Sequence, residues 1–225
     1  MTFSLTAYCP KTRMVGVAIT TSSISVGSRC PWVRGRVGAV ATQNVTLPSI
    51  GQDILELLEG GILPKAALDK VLKKDSFSAY RQVMVVDTQG RIAHFTGDKI
   101  LGTNAVVVGN GCIAAGNLLS TKDVPRAMVS AFEAAGDQHL AERLLRALSA
   151  GIAAGGEVGP VHSAALLVAS DLAWPLVNLR VDWEENGPVE RLRTLWDMYQ
   201  PQMDEYVARA LNPGAAPSYG VPGDE

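Results

Sequence analysis

Apolar and polar residues alternate along Thr2–Tyr8 and again along Met14–Thr20, where Val15, Val17 and Ile19 share one face. Pro10-Lys11-Thr12-Arg13 between them is turn chemistry, so the pattern predicts an opening hairpin. Over Gly35–Thr46 the run from Val37 to Val45 is built of small residues almost without charge, which predicts a strand covered on both faces. The period then lengthens. Ser49 reads as the cap of a helix whose Ile54, Leu55, Leu57 and Leu58 form an apolar stripe ending at Gly60-Gly61, and Pro64 opens a second helix with Ala67, Leu68, Val71 and Leu72 inward. Gln82–Asp87 and Arg91–Thr96 flank Thr88-Gln89-Gly90 as another hairpin, and Asn104–Val108 is a short apolar strand.

Helical spacing returns at Asp123–Ala135 and Gln138–Ala153, followed by strands at Ser163–Ser170 and Leu176–Val181 around the Ala173-Trp174-Pro175 break. From Pro188 the positions Leu192, Leu195, Trp196, Tyr199, Met203, Tyr206 and Val207 keep a helical stripe, with Pro201 as a kink or break. Residues 212–225 are rich in Pro and Gly and read as a tail or arm without regular structure. Two helical pairs separated by strand blocks cannot all cover one face of one sheet. The order predicts an α+β fold: a four-layer αββα sandwich of two stacked, mainly antiparallel sheets covered by helices, one domain over 1–211 with 212–225 appended.

Composition narrows the partners. The 225 residues are 47% hydrophobic and 19% charged, enough apolar material for a large core. Twenty basic and 22 acidic residues leave a net charge of −2 with no long run of either sign, which argues against nucleic acid and anionic membranes as partners. Cys9, Cys30 and Cys112, an odd number with no CxxC pair, read as reduced, buried small residues. Neither a signal peptide nor a stretch of about 18 apolar residues is found, so a soluble, cytoplasmic protein is expected. Trp174, Trp183, Trp196 and Tyr199 read as packing for the C-terminal helix or as a subunit contact, the basis for expecting a homo-oligomer.

Chemistry is sparse. There is no GxSxG elbow, Walker loop, HExxH or GxGxxG after a strand, and His94, His139 and His162 have no Cys near them in sequence, so neither metal nor organic cofactor is expected. Position two is what remains. A Met before a residue as small as Thr2 is normally removed after synthesis, leaving a residue whose hydroxyl is a nucleophile and whose α-amine, with an ordinary pKa of about 7.7–8.0, is a base. Many proteins begin Met-Thr by chance, so the dipeptide alone decides nothing.

The segments Met1-Thr2-Phe3-Ser4-Leu5, Gly16-Val17-Ala18, Pro31-Trp32, Val37-Gly38-Ala39-Val40-Ala41-Thr42-Gln43, Pro48-Ser49-Ile50-Gly51, Arg81-Gln82, Val85-Val86-Asp87, Phe95-Thr96-Gly97, Gly116-Asn117 and Ser163-Ala164-Ala165-Leu166-Leu167-Val168 give the chain a resemblance, to about residue 210, to a bacterial family, domain of unknown function 1028. The resemblance implies the N-terminal nucleophile (Ntn) hydrolase fold. It makes Thr2 the candidate nucleophile and places Thr42, Gln43, Gly116 and Asn117 near the opening strand. The Asn117 amide and the backbone N–H groups of a Gly116 turn suit an oxyanion, although Asn117 also reads as an ordinary turn residue. Gln43 either lines a pocket or braces its strand. Trp32 and Arg34 read as a cleft wall or as core and interface material.

The chain departs from the family pattern at Gly155–Ser163. Asp with Arg or Lys and Gln is replaced there by Glu157, no cation, and His162, which puts an anionic substrate group in doubt and lets Glu157 and His162 read a cation or polar head. A solvated-loop Glu157 and a metal-dependent hydrolase built on Glu157 and His162 are the competing readings of this segment. The leading expectation is an Ntn-type hydrolase cleaving a C–N amide bond of a small metabolite, with Thr2 and Asn117 catalytic and Gln43, Thr42, Gly116, His162 and Glu157 binding substrate. The alternative is a non-catalytic ligand-binding or assembly protein on the same fold.

Overall fold

The computed structural model describes residues 2–220. In chain order these form β1 (Thr2–Tyr8), β2 (Val15–Thr21), β3 (Pro31–Arg34), β4 (Gly38–Asn44), α1 (Ser49–Glu59), α2 (Pro64–Leu72), β5 (Arg81–Asp87), β6 (Ile92–Thr96), β7 (Ala105–Gly109) and β8 (Cys112–Asn117). They continue with α3 (Val124–Ala134), α4 (Leu140–Ala153), β9 (Ser163–Ala169), β10 (Val177–Val181), α5 (Pro188–Tyr199) and α6 (Met203–Leu211). The expected removal of Met1 and the last tail residues, 221–225, lie outside the described residues.

The strands pair antiparallel throughout, as a six-stranded sheet β10-β9-β2-β1-β8-β7 and a four-stranded sheet β3-β4-β5-β6. Side-chain alternation sorts three apolar layers. On β1, Phe3, Leu5 and Ala7 point to one side, into a core with Met128 and Phe132 of α3 and Leu144 and Leu148 of α4. Val15, Val17 and Ile19 of β2 meet Ala39, Ala41, Met84 and Val86 of the other sheet, filling the space between sheets. Val40, Val83 and Val85 face away from it, against Ile50, Ile54, Leu68 and Val71 of α1 and α2. The result is the αββα sandwich that the element order predicts. Fully buried Phe3, Phe132 and Trp196 each stabilise it by about 2–3 kcal/mol through removal from water.

Several details differ from the sequence reading. Gly116-Asn117 is no turn: it ends β8, a strand whose Cys-Ile-Ala-Ala composition hides it, joined to β7 by the two-residue turn Asn110-Gly111 with Gly111 at φ 66°. Pro31–Arg34, unassigned from the pattern, is a four-residue edge strand opening with proline, where a missing N–H is tolerated. Ser49 is the first helical residue and makes no cap. The chain breaks at Pro201 as expected, through a 3₁₀ turn between α5 and α6. Beyond α6, Pro213–Ala215 form a further 3₁₀ turn, and Arg209 bonds the Pro217 carbonyl at 3.0 Å and lies over the Tyr219 ring, so the described part of the tail folds back. Trp196 and Tyr199 pack the C-terminal helix, whereas Trp174 and Trp183 are 40% and 48% exposed. The three cysteines are buried and free. No described helix is long and apolar enough to cross a membrane.

Candidate active site

Thr2 opens β1, a strand bordered by β2 and β8, and the registers place it opposite Thr21 on one side and Asn117 on the other. It is buried, 6% exposed, and its Oγ1 lies 3.1 Å from Thr21 Oγ1, where either hydroxyl can donate. Alternation turns Thr2 and Ser4 toward the second sheet, and Ser4 Oγ donates to Gln43 Oε1 of β4 at 2.9 Å. Gln43 Nε2 in turn donates to Gln82 Oε1 of β5 at 2.7 Å, and Asn117 Nδ2 donates to the same oxygen at 3.2 Å. Ser4, Gln43, Gln82 and Asn117 are all fully buried, so an uncharged relay of amides zips the two sheets together beside Thr2.

The orientation of the relay is fixed by backbone. Gln82 Nε2 donates to the Gly116 carbonyl at 3.3 Å, and that carbonyl can only accept. Gln82 must therefore aim its NH₂ at Gly116 and its oxygen at Gln43 and Asn117, which obliges both of those amides to donate. A consequence is that Asn117 Oδ1 is buried with no hydrogen-bond partner. Gly116 thus contributes an anchoring carbonyl in place of the turn N–H groups expected from sequence. A Cβ at Gly116 would meet Leu119 at 2.6 Å and Phe3 at 3.0 Å, so an added methyl would have to displace the Leu119 side chain. Beyond each of the two amides the backbone is strained: Asn44 follows Gln43 at φ 76° and Leu118 follows Asn117 at φ 49°. A left-handed leucine is uncommon, and such conformations concentrate where a site over-determines the backbone.

Glu157 sits in a segment held against the exit of β8: Leu119 pairs with Glu157, Ser120 N donates to Gly156 O and Val158 N to Leu118 O, both at 3.1 Å. It is 6% exposed, not on a solvated loop, and neither carboxylate oxygen has a hydrogen-bond partner. Burial pushes its pKa up to about 7, against the opposing pull of the chain's amino-terminal charge and of Ser22. Ser22 approaches it with both its backbone N–H and its hydroxyl, in contacts short of ordinary hydrogen-bond geometry.

The remaining expected residues lie apart. Thr42 faces the opposite side of β4 from Gln43, toward the helices, where Thr46 donates to it at 3.2 Å; neighbours on a strand cannot both face one site. His162 precedes β9, two strands from Thr2, with its N–H on Thr21 O at 2.8 Å and its ring stacked on Trp183 at 4.4 Å. Trp32 packs on α1 so closely that a Cβ at Gly51 would lie 2.0 Å from its ring, and Arg34 pairs with Glu59 at 2.6 Å. Neither forms a wall beside Thr2. Ser4, Thr21 and Gln82 were not singled out from sequence. Gln82, a lone amide in an apolar strand like Gln43, carried the same signal, and the two are register partners.

The arrangement supplies a hydroxyl held by another hydroxyl, neutral amides, and a buried carboxyl: groups suited to acyl transfer. Away from these residues, a cleft of about 470 Å³ lies beside α1 and α2, lined by Ile50, Asp53 and Lys70. Among the described residues no three His, Cys, Asp or Glu side chains are grouped to hold a metal ion.

Comparison with known proteins places these features. The model of a family of unknown function, DUF1028, matches residues 2–192. A crystal structure of a DUF1028 protein from Silicibacter pomeroyi aligns with a TM-score of 0.81 and 34% identity, covering 88% of this chain and 89% of that one. Anbu, an ancestral β-subunit, from Yersinia bercovieri aligns at 11% identity over 94% of this chain and 98% of its own, with a TM-score of 0.42. Anbu from Hyphomicrobium sp. strain MC1 gives 10% identity, 89% and 95% coverage, and 0.43. At that likeness nothing is carried over from Anbu. Among curated proteins none matches.

Proposed function

Since the chain belongs to the DUF1028 family, whose function is unknown, its activity must be argued from its own residues, and we propose that it is an Ntn-type amidohydrolase acting on a small amide. The observation that carries the reading is Thr2 itself: a buried hydroxyl at the first position of a central strand, with Thr21, Asn117 and the Ser4–Gln43–Gln82 relay around it.

With Met1 removed, Thr2 Oγ1 attacks the amide carbonyl and its proton passes to the α-amine of the same residue, directly or through water. The C–N bond breaks as that proton moves to the leaving nitrogen, leaving an ester on Thr2. Water then attacks the ester, gives its proton to the amine, and releases the acid as Oγ1 recovers its hydrogen. Thr21 orients the attacking hydroxyl. Asn117, ladder neighbour of Thr2, keeps one N–H on Gln82 and offers the other to the oxyanion, a contact worth roughly 2.7–4 kcal/mol in comparable sites. Gln43 and Gln82 hold Asn117. In this reading residues 1–211 form the working unit of a cytoplasmic homo-oligomer, and the exposed Trp174 supports a subunit contact.

Intact-mass measurement on the native protein tests the first step, with loss of Met1 expected. Screening against a panel of amide metabolites tests the rest: Thr2→Ala must abolish turnover and Thr2→Ser retain part of it. Full activity in Thr2→Ala, or a mass that includes Met1 in active protein, overturns the mechanism.

A further inference from the structure

Among the described residues Glu157 is the only carboxylate with both oxygens buried and no hydrogen bond to either. A second acceptor, Asn117 Oδ1, is in the same condition, and its orientation is imposed by the Gly116 carbonyl through Gln82. Burying a charge or a carbonyl without a well-formed donor is costly, so two such groups at one end of a sheet, one of them already drawn toward the chain's amino group and Ser22, leave room for donors on a ligand.

The topology puts them together. Thr2 lies between Thr21 and Asn117, so the sheet just before Thr2 is bounded by the exits of β2 and β8. The 156–158 segment closes that gap, paired to Leu119 on the β8 side and reaching Ser22 on the β2 side. The same end continues outward through His162, whose carbonyl accepts from Glu184 N at 2.8 Å, to a loop carrying Asp182, Trp183, Glu184 and Glu185. Trp183 stacks on His162 and is half-exposed. At strand spacing His162 lies about 10 Å from Thr2 across the sheet, and the loop leaving β10 about 14 Å. Arg180 is paired with Asp182 at 2.7 Å, and no described lysine or arginine pairs with Glu157, Glu184 or Glu185.

A site offering unpaired acceptors, a neighbouring acidic rim and an aromatic face is complementary to a cation. We propose that the substrate is an amide bearing an ammonium or guanidinium group, seated on Glu157 with one of its N–H groups on Asn117 Oδ1. This deepens the hydrolase reading and rests on it for the word substrate; the cation site itself does not need turnover. The charged and titratable groups at this end of the sheet are Glu157, the chain's amino group, His162, Arg180, Asp182, Glu184 and Glu185.

Calorimetric titration of the full chain with butylammonium and butylguanidinium, against n-butanol and butyrate, tests it. At pH 8 only the two cations bind, Glu157→Gln weakens them at least tenfold, and lowering wild-type protein to pH 5.5 weakens them roughly 30-fold as the carboxyl takes up its proton. The pH arm needs no variant and so survives a folding defect in Glu157→Gln. Equal binding of butanol or butyrate, or cation affinity unchanged in Glu157→Gln and at pH 5.5, overturns the proposal. So does failure of both cations to bind while Glu157→Gln shifts the titration of the α-amine, which assigns Glu157 to the chain's own terminus. Thr2→Ala must still bind the cations; if it also turns over normally, the nucleophile is wrong and the cation site stands.

Discussion

Replacing Glu157 by glutamine keeps the shape of the side chain and removes its charge. In the native protein burial raises the carboxyl pKa from an ordinary 4.5 to about 7, so between these values the folded chain holds a proton that the unfolded chain has lost. Stability from this group is therefore full below about pH 4.5 and drains away as pH rises toward 7. At pH 8 the ionised, buried carboxylate costs about 3 kcal/mol, from 1.36 kcal/mol per pKa unit; at pH 5 the cost has shrunk to under about 1 kcal/mol. Glu157→Gln should accordingly be more stable than wild type by about 3 kcal/mol at pH 8, a rise of roughly 6–12 °C in Tm for a chain of this size. Urea denaturation of both proteins from pH 5 to 9 reads the difference directly. A stability gap that does not change with pH, or a variant less stable than wild type at pH 8, refutes the claim that Glu157 is a buried acid without a partner. A gain in stability on losing a charge would also fit a group retained for what it binds.

Other perturbations separate the structural relay from the rest. Gln82→Met, of similar volume, leaves Gln43 Nε2 and Asn117 Nδ2 without partners and should cost about 3–5 kcal/mol in chemical denaturation; a loss below about 1 kcal/mol would mean that the relay is not formed. Arg81→Met strands Asp75, its partner at 2.7 Å with both side chains about nine-tenths buried, at an expected cost of about 3–5 kcal/mol. Because the Arg81 hydrogen bond holds the Asp75 carboxyl below its usual range, that pair stabilises above about pH 4 and its contribution is lost on further acidification, a slope that the variant should lack. Gly51→Ala drives a methyl into the Trp32 ring and should lower stability by about 1–3 kcal/mol, visible as a drop in Tm.

How far the chain could be read in advance depended on what each signal was made of. The β1–β2 hairpin and the α1–α2 pair were legible because large apolar residues such as Val15, Val17, Ile54 and Leu68 mark their period unmistakably. The layers followed from the order of such blocks. β8 was not legible, since Ala114, Ala115 and Gly116 are small enough to be packed on both faces and so carry no alternation. Thr42 and Gln43 show a finer limit: they are adjacent in the motif, yet the pleat sends them into different layers. Gln82 carried the same signal as Gln43, a lone amide among apolar residues, but not what it joins. Its importance comes from cross-strand register with Gln43 and from a carbonyl on the other sheet, neither of which a linear pattern contains. Glu157 looked like a loop residue because the pairing that buries it is a single bridge to Leu119.

The place of β1 in its sheet has a consequence for how the molecule fails. Thr2 is clasped by ladders on both sides, in a strand whose other face anchors the largest apolar core, so it cannot fray on its own. Heating should therefore not silence the site ahead of the melt: inactivation and loss of secondary structure should superimpose as one curve.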